Sequence, residues 1–274
     1  MPTYAKELNN LRLAVLIDAE NVPRNCIKSV LEETAIYGTP TIKRIYGDWT
    51  NPAIAGWKAS LLENAITPIQ QYSYTIGKNS SDSAMIIDAM DILYTERTDG
   101  FVIVSSDSDF TRLAIRLREA GQRVIGIGER KTPSAFIAAC DKFTYIEVIR
   151  ANAADSRSDE EEGARDNEES SQKQASQHKE KQHAQPRPRS VKVPKAIVQL
   201  IADSIADLAD DSGFVFMGEL GNFILKKQPD FDNRNYGYKS LSAMIKSIDR
   251  FDIDFRQTTD PNIKHVLVRD KDGS

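Results

Sequence analysis

A long stretch near the middle of the chain lacks the side chains from which protein cores are built. From Ala151 to Ser190 there is no Val, Ile, Leu, Met, Phe, Tyr or Trp, and the acidic run Asp159–Glu162 lies within it. A segment of this composition cannot bury enough apolar surface to offset the entropy lost on ordering. We therefore expect a disordered polar linker over 151–190, between one domain at 1–150 and another at 191–274.

The first domain alternates short apolar runs with segments of helical periodicity. LAVLID (13–18) and FVIVSS (101–106) are typical of buried strands. Strands that alternate with helices form parallel sheets covered by helices, so we predict an α/β fold with helices on both faces of the sheet. Further strands are predicted at 41–46, 67–74 and 123–127, and helices at 23–37, 54–64, 82–94 and 109–120.

The second domain combines helices with the pattern of a hairpin. Residues 251–255 alternate with a period of two, and 263–269 supply a partner strand. Three helices and a hairpin are typical of a winged-helix module of the helix-turn-helix class. The helices are predicted at 194–209, 217–227 and 238–248, with a short strand at 214–216.

Composition argues against several classes of protein. The N-terminal MPTYAKELNN lacks the apolar core of a signal peptide, and no apolar run reaches the roughly 18 residues of a membrane span. We expect a cytoplasmic protein with Cys26 and Cys140 reduced, since neither belongs to a closely spaced set of zinc ligands. The net charge of −4 predicts no general basic surface, so any nucleic-acid site must be local.

Carboxylates follow two of the predicted strands. Asp18 closes LAVLID, Asp107 and Asp109 follow the other buried strand, and Asp82 begins a predicted helix. In an open parallel sheet, ligand sites form where the carboxyl ends of neighbouring strands meet. If these two strands are neighbours, the carboxylates share a pocket, and their repulsion favours a bound cation. Oxygen-only ligands indicate Mg²⁺ or Mn²⁺.

Such a site supports hydrolysis of phosphodiester bonds, because a divalent cation acidifies the attacking water and stabilises the leaving oxygen. The histidines His178, His183 and His265 lie in the predicted linker or the second domain, which argues against a histidine-based ribonuclease. Two alternatives stay open. The serines and aspartates of SSDSDF are also favoured helix caps, and a phosphatase or a DNA-directed nuclease could use the same metal site.

Three segments of the first domain resemble the acidic motifs of NYN domains, which are PIN-like nucleases. They are VLIDAENV (15–22), IGKNSSDSAMIIDAMD (76–91) and IVSSDSDFTRLAIRLREAG (103–121). The resemblance covers nearly all of residues 10–148. It implies a PIN-like sheet and metal-dependent endoribonuclease chemistry.

The resemblance also implies roles for individual residues. The catalytic and metal-binding carboxylates would be Asp18, Asp82, Asp107 and Asp109. Asn21 matches the polar position beside the first aspartate and is a further catalytic candidate.

Residues around this pocket form two weaker sets of candidates. Lys78, Trp49 and Arg112 are candidate RNA contacts, with an exposed lysine, core packing and a solvated helix face as the respective alternatives. Residues that would support the carboxylates are Ser105, Ser106 and Asp88, with helix capping or a buried hydrogen bond as the alternative.

The second domain contains GFVFMGELGNFILKKQPDFDNRNYGYKSLSAMIKSI (213–248), which resembles the OST-HTH or LOTUS domain of RNA-associated proteins. The resemblance implies RNA binding or else docking of a protein partner. Lysines that could contact phosphates are Lys226, Lys227 and Lys239.

Taken together, these features predict an Mg²⁺- or Mn²⁺-dependent endoribonuclease that is recruited to RNA by its C-terminal LOTUS domain. The alternative is a catalytically idle RNA-binding or adaptor protein that retains the acidic pocket. The sequence does not indicate an oligomeric state.

Overall fold

Two units make up the chain, Met1–Ala154 and Asp155–Ser274. The computed structural model describes residues 11–72, 80–95, 97–153, 192–257 and 264–273. Nearly all of the predicted linker at 151–190, and Lys78, lie outside the described residues. The domain boundaries given above stay predictions.

Six strands of the first unit form one sheet in the order β3-β2-β1-β4-β5-β6, and every neighbouring pair is parallel. The first strand therefore lies inside the sheet and pairs with both the second and the fourth. The strands are β1 Arg12–Asp18, β2 Thr39–Gly47, β3 Thr67–Gln70, β4 Gly100–Val104, β5 Arg123–Gly128 and β6 Lys142–Tyr145.

Strand β1 is buried on both faces because helices cover the sheet on either side. Val15 and Ile17 pack into one apolar cluster, while Ala14 and Leu16 pack into the other. Burying each Val, Leu or Ile side chain contributes about 2 kcal/mol. The helices are α1 Ile27–Ala35, α2 Lys58–Glu63, α3 Ser80–Tyr94, α4 Thr111–Glu119, α5 Ser134–Ala139 and α6 over 146–153.

The strand order reverses at the β1/β4 pair, where Ile17 lies beside Val104 in the register. The chain first builds outward from β1 to β2 and β3, and then crosses back to place β4 on the other side. A crevice forms outside the carboxyl ends of strands at such a switch point. This topology brings the residues after β1 and after β4 to the same edge.

The last part of this unit was not predicted from the sequence. Helix α5 and strand β6 follow β5, and β6 pairs with it in parallel. Strand β6 has only four residues, KFTY, and one of its buried side chains is the polar Thr144. Its burial is therefore set by the neighbouring strand and helices rather than by an apolar pattern of its own.

The second unit packs three helices against a three-stranded antiparallel sheet of order β7-β9-β8. Its apolar core includes Ile201, Leu220, Ile245 and Val268. The elements are α7 Lys195–Leu208, β7 Val215–Phe216, α8 Met217–Lys227, α9 Leu241–Lys246, β8 Phe251–Gln257 and β9 Lys264–Asp270.

One predicted helix of this unit is wrong at its start. Instead of beginning at residue 238, the chain forms a 3-10 turn at Asn233–Tyr236, and Gly237 then adopts a left-handed conformation with φ of 80°. Ser240 caps helix α9 by accepting the N–H of Ala243 through its side chain. A left-handed residue ends a helical run, so the α-helix begins only after this cap.

The predicted fold class is confirmed. A parallel sheet flanked by helices is followed by a small domain of helices and an antiparallel sheet. Within the described residues, no helix combines the length and apolar character needed to cross a membrane.

Candidate metal centre

The loop after β1 is organised around the carboxylate of Asp18, which is 2% exposed. Oδ1 accepts the backbone N–H groups of Glu20 at 3.0 Å and Asn21 at 3.3 Å. Oδ2 accepts the side-chain amide of Asn21 at 2.7 Å and the hydroxyl of Ser105 at 2.9 Å. Several donors therefore hold this carboxylate in one orientation, and Asn21 lies beside it as predicted.

The loop after β4 places a second carboxylate beside the first. The Ser105 hydroxyl, which is fully buried, donates to Asp18 and accepts the N–H of Asp107 at 3.1 Å. Ser106 accepts the N–H of Glu129 at 2.8 Å, which ties this loop to the one after β5. Ser105 thus links the two strand ends, and Ser106 anchors the loop from the other side.

Asp107 also caps the helical segment that follows it. Its Oδ1 accepts the N–H of Asp109 at 2.9 Å, at the start of the 3-10 turn Ser108–Phe110 that leads into α4. The capping interpretation of SSDSDF is therefore correct for Asp107. It does not exclude a site, because the carboxylate still faces its acidic neighbours.

Three carboxylates converge at this edge of the sheet. Asp82, in the first turn of α3, lies with Asp107 and Asp109 such that one oxygen from each falls within 4.8 Å of the others. Asp82 is 9% exposed. Its burial and the nearby charges of Asp18, Asp107 and Asp109 raise its pKa to about 7.

Asp18 lies close to this group without belonging to it. Among the described residues, it is not one of the carboxylates whose oxygens meet within 4.8 Å. Its charge nevertheless makes the largest contribution of any neighbour to the raised pKa of Asp82, and Glu20 contributes as well. Glu20 was missed in the sequence, although its position two residues after Asp18 places it in the same loop.

The donor set fits Mg²⁺ or Mn²⁺. All converging ligand atoms are carboxylate oxygens, the donors that these hard cations prefer. The raised pKa of Asp82 shows that the cluster resists full ionisation in the absence of a cation. A divalent cation held by Asp82, Asp107 and Asp109 would relieve that repulsion.

Asp88 lies on the same helix as Asp82 but has a different set of contacts. It accepts hydrogen bonds from the Arg44 guanidinium and the Tyr46 hydroxyl, both on β2. Burial, followed by the hydrogen bond to Asp88, raises the pKa of Tyr46. These contacts fix α3 on the sheet, and Tyr46 is also the register partner of Asp18 on β1.

The remaining RNA-contact candidates of this unit, Trp49 and Arg112, differ in how exposed their side chains are to solvent. Trp49 is half-buried, packs against the core and donates its indole N–H to the Ile69 carbonyl at 2.9 Å. Arg112 is exposed on the first turn of α4, just after the acidic loop. Trp49 thus has a packing role, whereas Arg112 is accessible to a ligand.

Both cysteines are buried free thiols. Burial raises the pKa of Cys26 to about 11 and that of Cys140 to about 12. At neutral pH both are therefore protonated core residues and not nucleophiles.

In the second unit, the three candidate lysines differ in their contacts. Lys226 and Lys239 are exposed. Lys227 pairs with Asp207 at 2.7 Å and lies over the ring of Phe223. Of the three, Lys227 is the one already engaged within the domain.

Sequence reasoning missed an aromatic and basic face on the sheet of this unit. Arg256 and Arg269 both lie over the ring of Phe214, each 4.9 Å from its centre. Phe216, which is 45% exposed, lies against His265 with 5.2 Å between ring centres. The period-two alternation of β8 and β9 could have indicated which of these side chains share a face.

Solved structures similar to parts of the chain come from several bacteria. A protein of unknown function from Vibrio parahaemolyticus is 19% identical, with a TM-score of 0.43 over 50% of this chain and 94% of its own. An uncharacterized protein from Nitrosomonas europaea is 30% identical, with a TM-score of 0.28 over 36% of this chain and 92% of its own. A protein from Chromobacterium violaceum is 26% identical, with a TM-score of 0.24 over 32% of this chain and 91% of its own. No curated protein is similar enough to count as a match.

Two family models match the chain, one in each unit. The NYN domain model matches residues 12–147, which include the whole acidic site. The OST-HTH/LOTUS domain model matches residues 189–263. Both resemblances noted in the sequence are thereby confirmed. The chain belongs to the NYN-domain proteins and carries an OST-HTH/LOTUS domain after its NYN domain.

Proposed function

We propose that this protein is a metal-dependent endoribonuclease that hydrolyses RNA phosphodiester bonds at the carboxyl edge of the NYN sheet. The observation that carries the proposal is the convergence of Asp82, Asp107 and Asp109 within 4.8 Å. Carboxylates gathered at a topological switch point are suited to hold a cation against a phosphate. The NYN domain, a nuclease-like domain, supports the same chemistry.

In the proposed site, the cation would supply the chemistry, and the residues of the chain would hold and orient it. When bound, Mg²⁺ or Mn²⁺ would neutralise charge at the phosphate and make the attacking water more acidic. Asp82, Asp107 and Asp109 would hold it. Ser105 fixes the relative positions of Asp18 and Asp107 through the two hydrogen bonds of its hydroxyl, and Asn21 keeps the Asp18 carboxylate from rotating.

Asp82 would also make metal binding depend on pH, because its pKa is about 7. Near pH 7, about half of the metal-free molecules would carry a proton on this carboxyl group. Binding a cation would displace that proton, so affinity for the metal should rise with pH. We expect cleavage to weaken below neutrality for this reason.

The LOTUS domain supports RNA as the substrate. Exposed lysines on and after α8, Lys226 and Lys239, provide accessible positive charge in this otherwise balanced domain. Because the two domains are parts of one chain, RNA bound by the LOTUS domain would raise the effective concentration of RNA at the NYN site. Recruitment of this kind requires no basic surface on the NYN domain itself.

A second candidate function is an RNA-binding regulator without catalytic activity. One observation favours it: the carboxylates of Asp18 and Asp107 both accept hydrogen bonds from the chain, which gives them structural roles that need no metal. Asp18 and Asp107 would then be kept for the loops that they order, whatever the pocket costs in stability through Asp82.

Cleavage of end-labelled RNA and DNA separates the two candidates. Single-stranded RNA and DNA of the same sequence are incubated with the full-length protein in Mg²⁺, Mn²⁺ or EDTA. We expect cleavage of RNA that requires a divalent metal and is lost in Asp107→Asn. Binding of RNA without cleavage under any metal would favour the regulator, and preferential cleavage of DNA would contradict RNA as the substrate.

A further inference from the structure

A cleft of about 690 Å³ opens at the carboxyl edge of the NYN sheet. One wall is the loop after β1, including Ala19 and Glu20, and the other is the 3-10 turn Pro52–Trp57 after β2. Glu20 is close enough to the acidic cluster for its charge to act on Asp82. The cleft and the candidate metal centre therefore adjoin each other on this edge.

Arg24 lies in this cleft, and its guanidinium rests against Gly56 on the opposite wall. A Cβ atom at position 56 would fall 1.7 Å from Nη1 of Arg24 and 2.9 Å from its Cζ. The guanidinium thus occupies space that exists only because residue 56 is glycine. Within the described part of the chain, no carboxylate forms an ion pair with Arg24, which is exposed to solvent.

The negative charges of the candidate metal centre explain why RNA bound in this cleft needs a positively charged side chain such as Arg24. The candidate metal centre and the loop beside it carry Asp18, Glu20, Asp82, Asp107 and Asp109. A strand of RNA is repelled by these carboxylates wherever the metal does not neutralise them. A guanidinium next to the cluster offsets that repulsion, and its planar fork of N–H donors matches the oxygens of a phosphate.

We infer that this cleft is the subsite for the RNA strand adjoining the cleaved bond, and that the Arg24 guanidinium binds a backbone phosphate there. Gly56 is a positioning residue, since it leaves room for the guanidinium on the cleft wall. A cleft of this volume is within the range of ligand-binding pockets and can hold part of a strand. The inference rests on the proposed ribonuclease function and identifies where that function binds its substrate.

Steady-state cleavage by the full-length protein tests the subsite. Arg24→Ala is expected to raise the KM for single-stranded RNA by about tenfold, because a hydrogen bond to a charged group is lost, while kcat changes less than about twofold. Arg24→Lys should recover only part of the loss, since a lysine lacks the planar fork. Arg116→Ala removes another exposed arginine, in the last turn of α4, and should leave KM unchanged.

Gly56→Ala separates the position of the guanidinium from its charge. The added methyl group displaces the flexible end of Arg24 without removing the cation. We expect a rise in KM smaller than that of Arg24→Ala, and no further rise when both substitutions are combined. The tryptophan fluorescence of the variants, which reports Trp49 and Trp57, verifies that the domain remains folded.

The salt dependence of RNA binding distinguishes failure of the subsite from failure of the proposed function. Loss of one phosphate contact reduces the slope of log affinity against log salt by about 0.7 for a single strand. If the wild type cleaves RNA and Arg24→Ala changes neither KM nor this slope, the subsite is wrong and the nuclease proposal stands. If no metal supports cleavage, the nuclease proposal fails, and the subsite as a place beside a cleaved bond fails with it. The slope then decides only whether Arg24 binds an RNA phosphate: a reduced slope in Arg24→Ala supports that contact, and an unchanged slope overturns it.

Discussion

Asp82 in the NYN domain and Asp270 in the LOTUS domain are nearly equally buried, at 9% and 7% exposure, yet their surroundings are opposite. Asp82 lies among carboxylates, and burial together with those charges raises its pKa to about 7. Burial also disfavours the charged form of Asp270, but hydrogen bonds from Arg250 and from the N–H of Asp272 outweigh it and lower the pKa.

The difference shows that one residue type is neutralised by arginines in one domain and, in the other, gathered with no cationic partner for Asp82 among the described residues, as the proposed metal site requires. Asp270 accepts hydrogen bonds from two guanidinium nitrogens of Arg250. Asp232 likewise accepts hydrogen bonds from two guanidinium nitrogens of Arg234. These pairs neutralise buried charge within the domain. At the NYN site the carboxylates face one another instead, which destabilises the fold unless a cation binds. A cost of this kind is typical of functional sites.

The largest expected effect is on cleavage. Asp82→Asn should lower kcat/KM for RNA by about a thousandfold, because it removes a charged ligand of the proposed cation. Asp270→Asn should change it less than about threefold under conditions where the LOTUS domain stays folded. Equal losses in the two variants would erase the functional distinction between the two aspartates.

The next effect is on the stability of the metal-free protein. The pKa of Asp82 in the folded protein is about 7, above its ordinary value of 3.8. The protonated Asp82 therefore contributes fully to the stability of the fold below pH 3.8, and this contribution is lost as the pH rises through about 7. Asp82→Asn removes the ionised group. We therefore expect it to raise the free energy of unfolding by on the order of 3 kcal/mol near pH 8, and by less than half of that near pH 5.

Urea unfolding in EDTA measures this effect for the NYN domain alone. Both tryptophans, Trp49 and Trp57, belong to that domain, so their fluorescence does not report the LOTUS domain. Exposed Glu119→Gln, on the last turn of α4, is the matched control and should show no comparable dependence on pH. A stability gain that is the same at both pH values would contradict the raised pKa.

The smallest expected effect is on the LOTUS domain. Asp270→Asn leaves the part-buried Arg250 without its main partner and should lower the free energy of unfolding by about 2 kcal/mol. Asp254→Asn removes an exposed pair with Arg256 and should cost less than about 0.5 kcal/mol. Far-UV circular dichroism reports the helices and strands of both domains. The LOTUS transition is therefore the part of that signal that tryptophan fluorescence does not follow, and the tryptophan transition should not move. Equal costs for the two substitutions would show that burial of the pair is unimportant.

Local sequence signals predicted much of the fold and of the site. Apolar runs that end in Asp18 and in SSDSDF indicated buried strands. Their carboxylates were expected to share an edge if the two strands were neighbours, and β1 does pair with β4. Helix α3 was predicted from its strongly apolar sequence, with Asp82 at its start. These features could be predicted because each depends on a short segment and on general rules for parallel sheets.

The remaining features depend on contacts between distant segments. The hydroxyl of Ser105 reaches Asp18 across 87 residues of chain, and Arg24 lies against Gly56 because two loops meet. No pattern of spacing signals either contact. The partners of Asp88 on β2 are of the same kind, since they are set by how α3 packs on the sheet.

The most direct test of the central claim replaces a non-bridging phosphate oxygen of the RNA by sulfur at each linkage. Sulfur binds Mg²⁺ poorly and softer cations well. A cation held by Asp82, Asp107 and Asp109 against the phosphate predicts a large loss of cleavage in Mg²⁺, with recovery when Mn²⁺ or Cd²⁺ is added, in the wild type and not in Asp107→Asn. Cleavage that is equally fast for the oxygen and sulfur substrates in Mg²⁺ would contradict a metal contact at the cleaved bond.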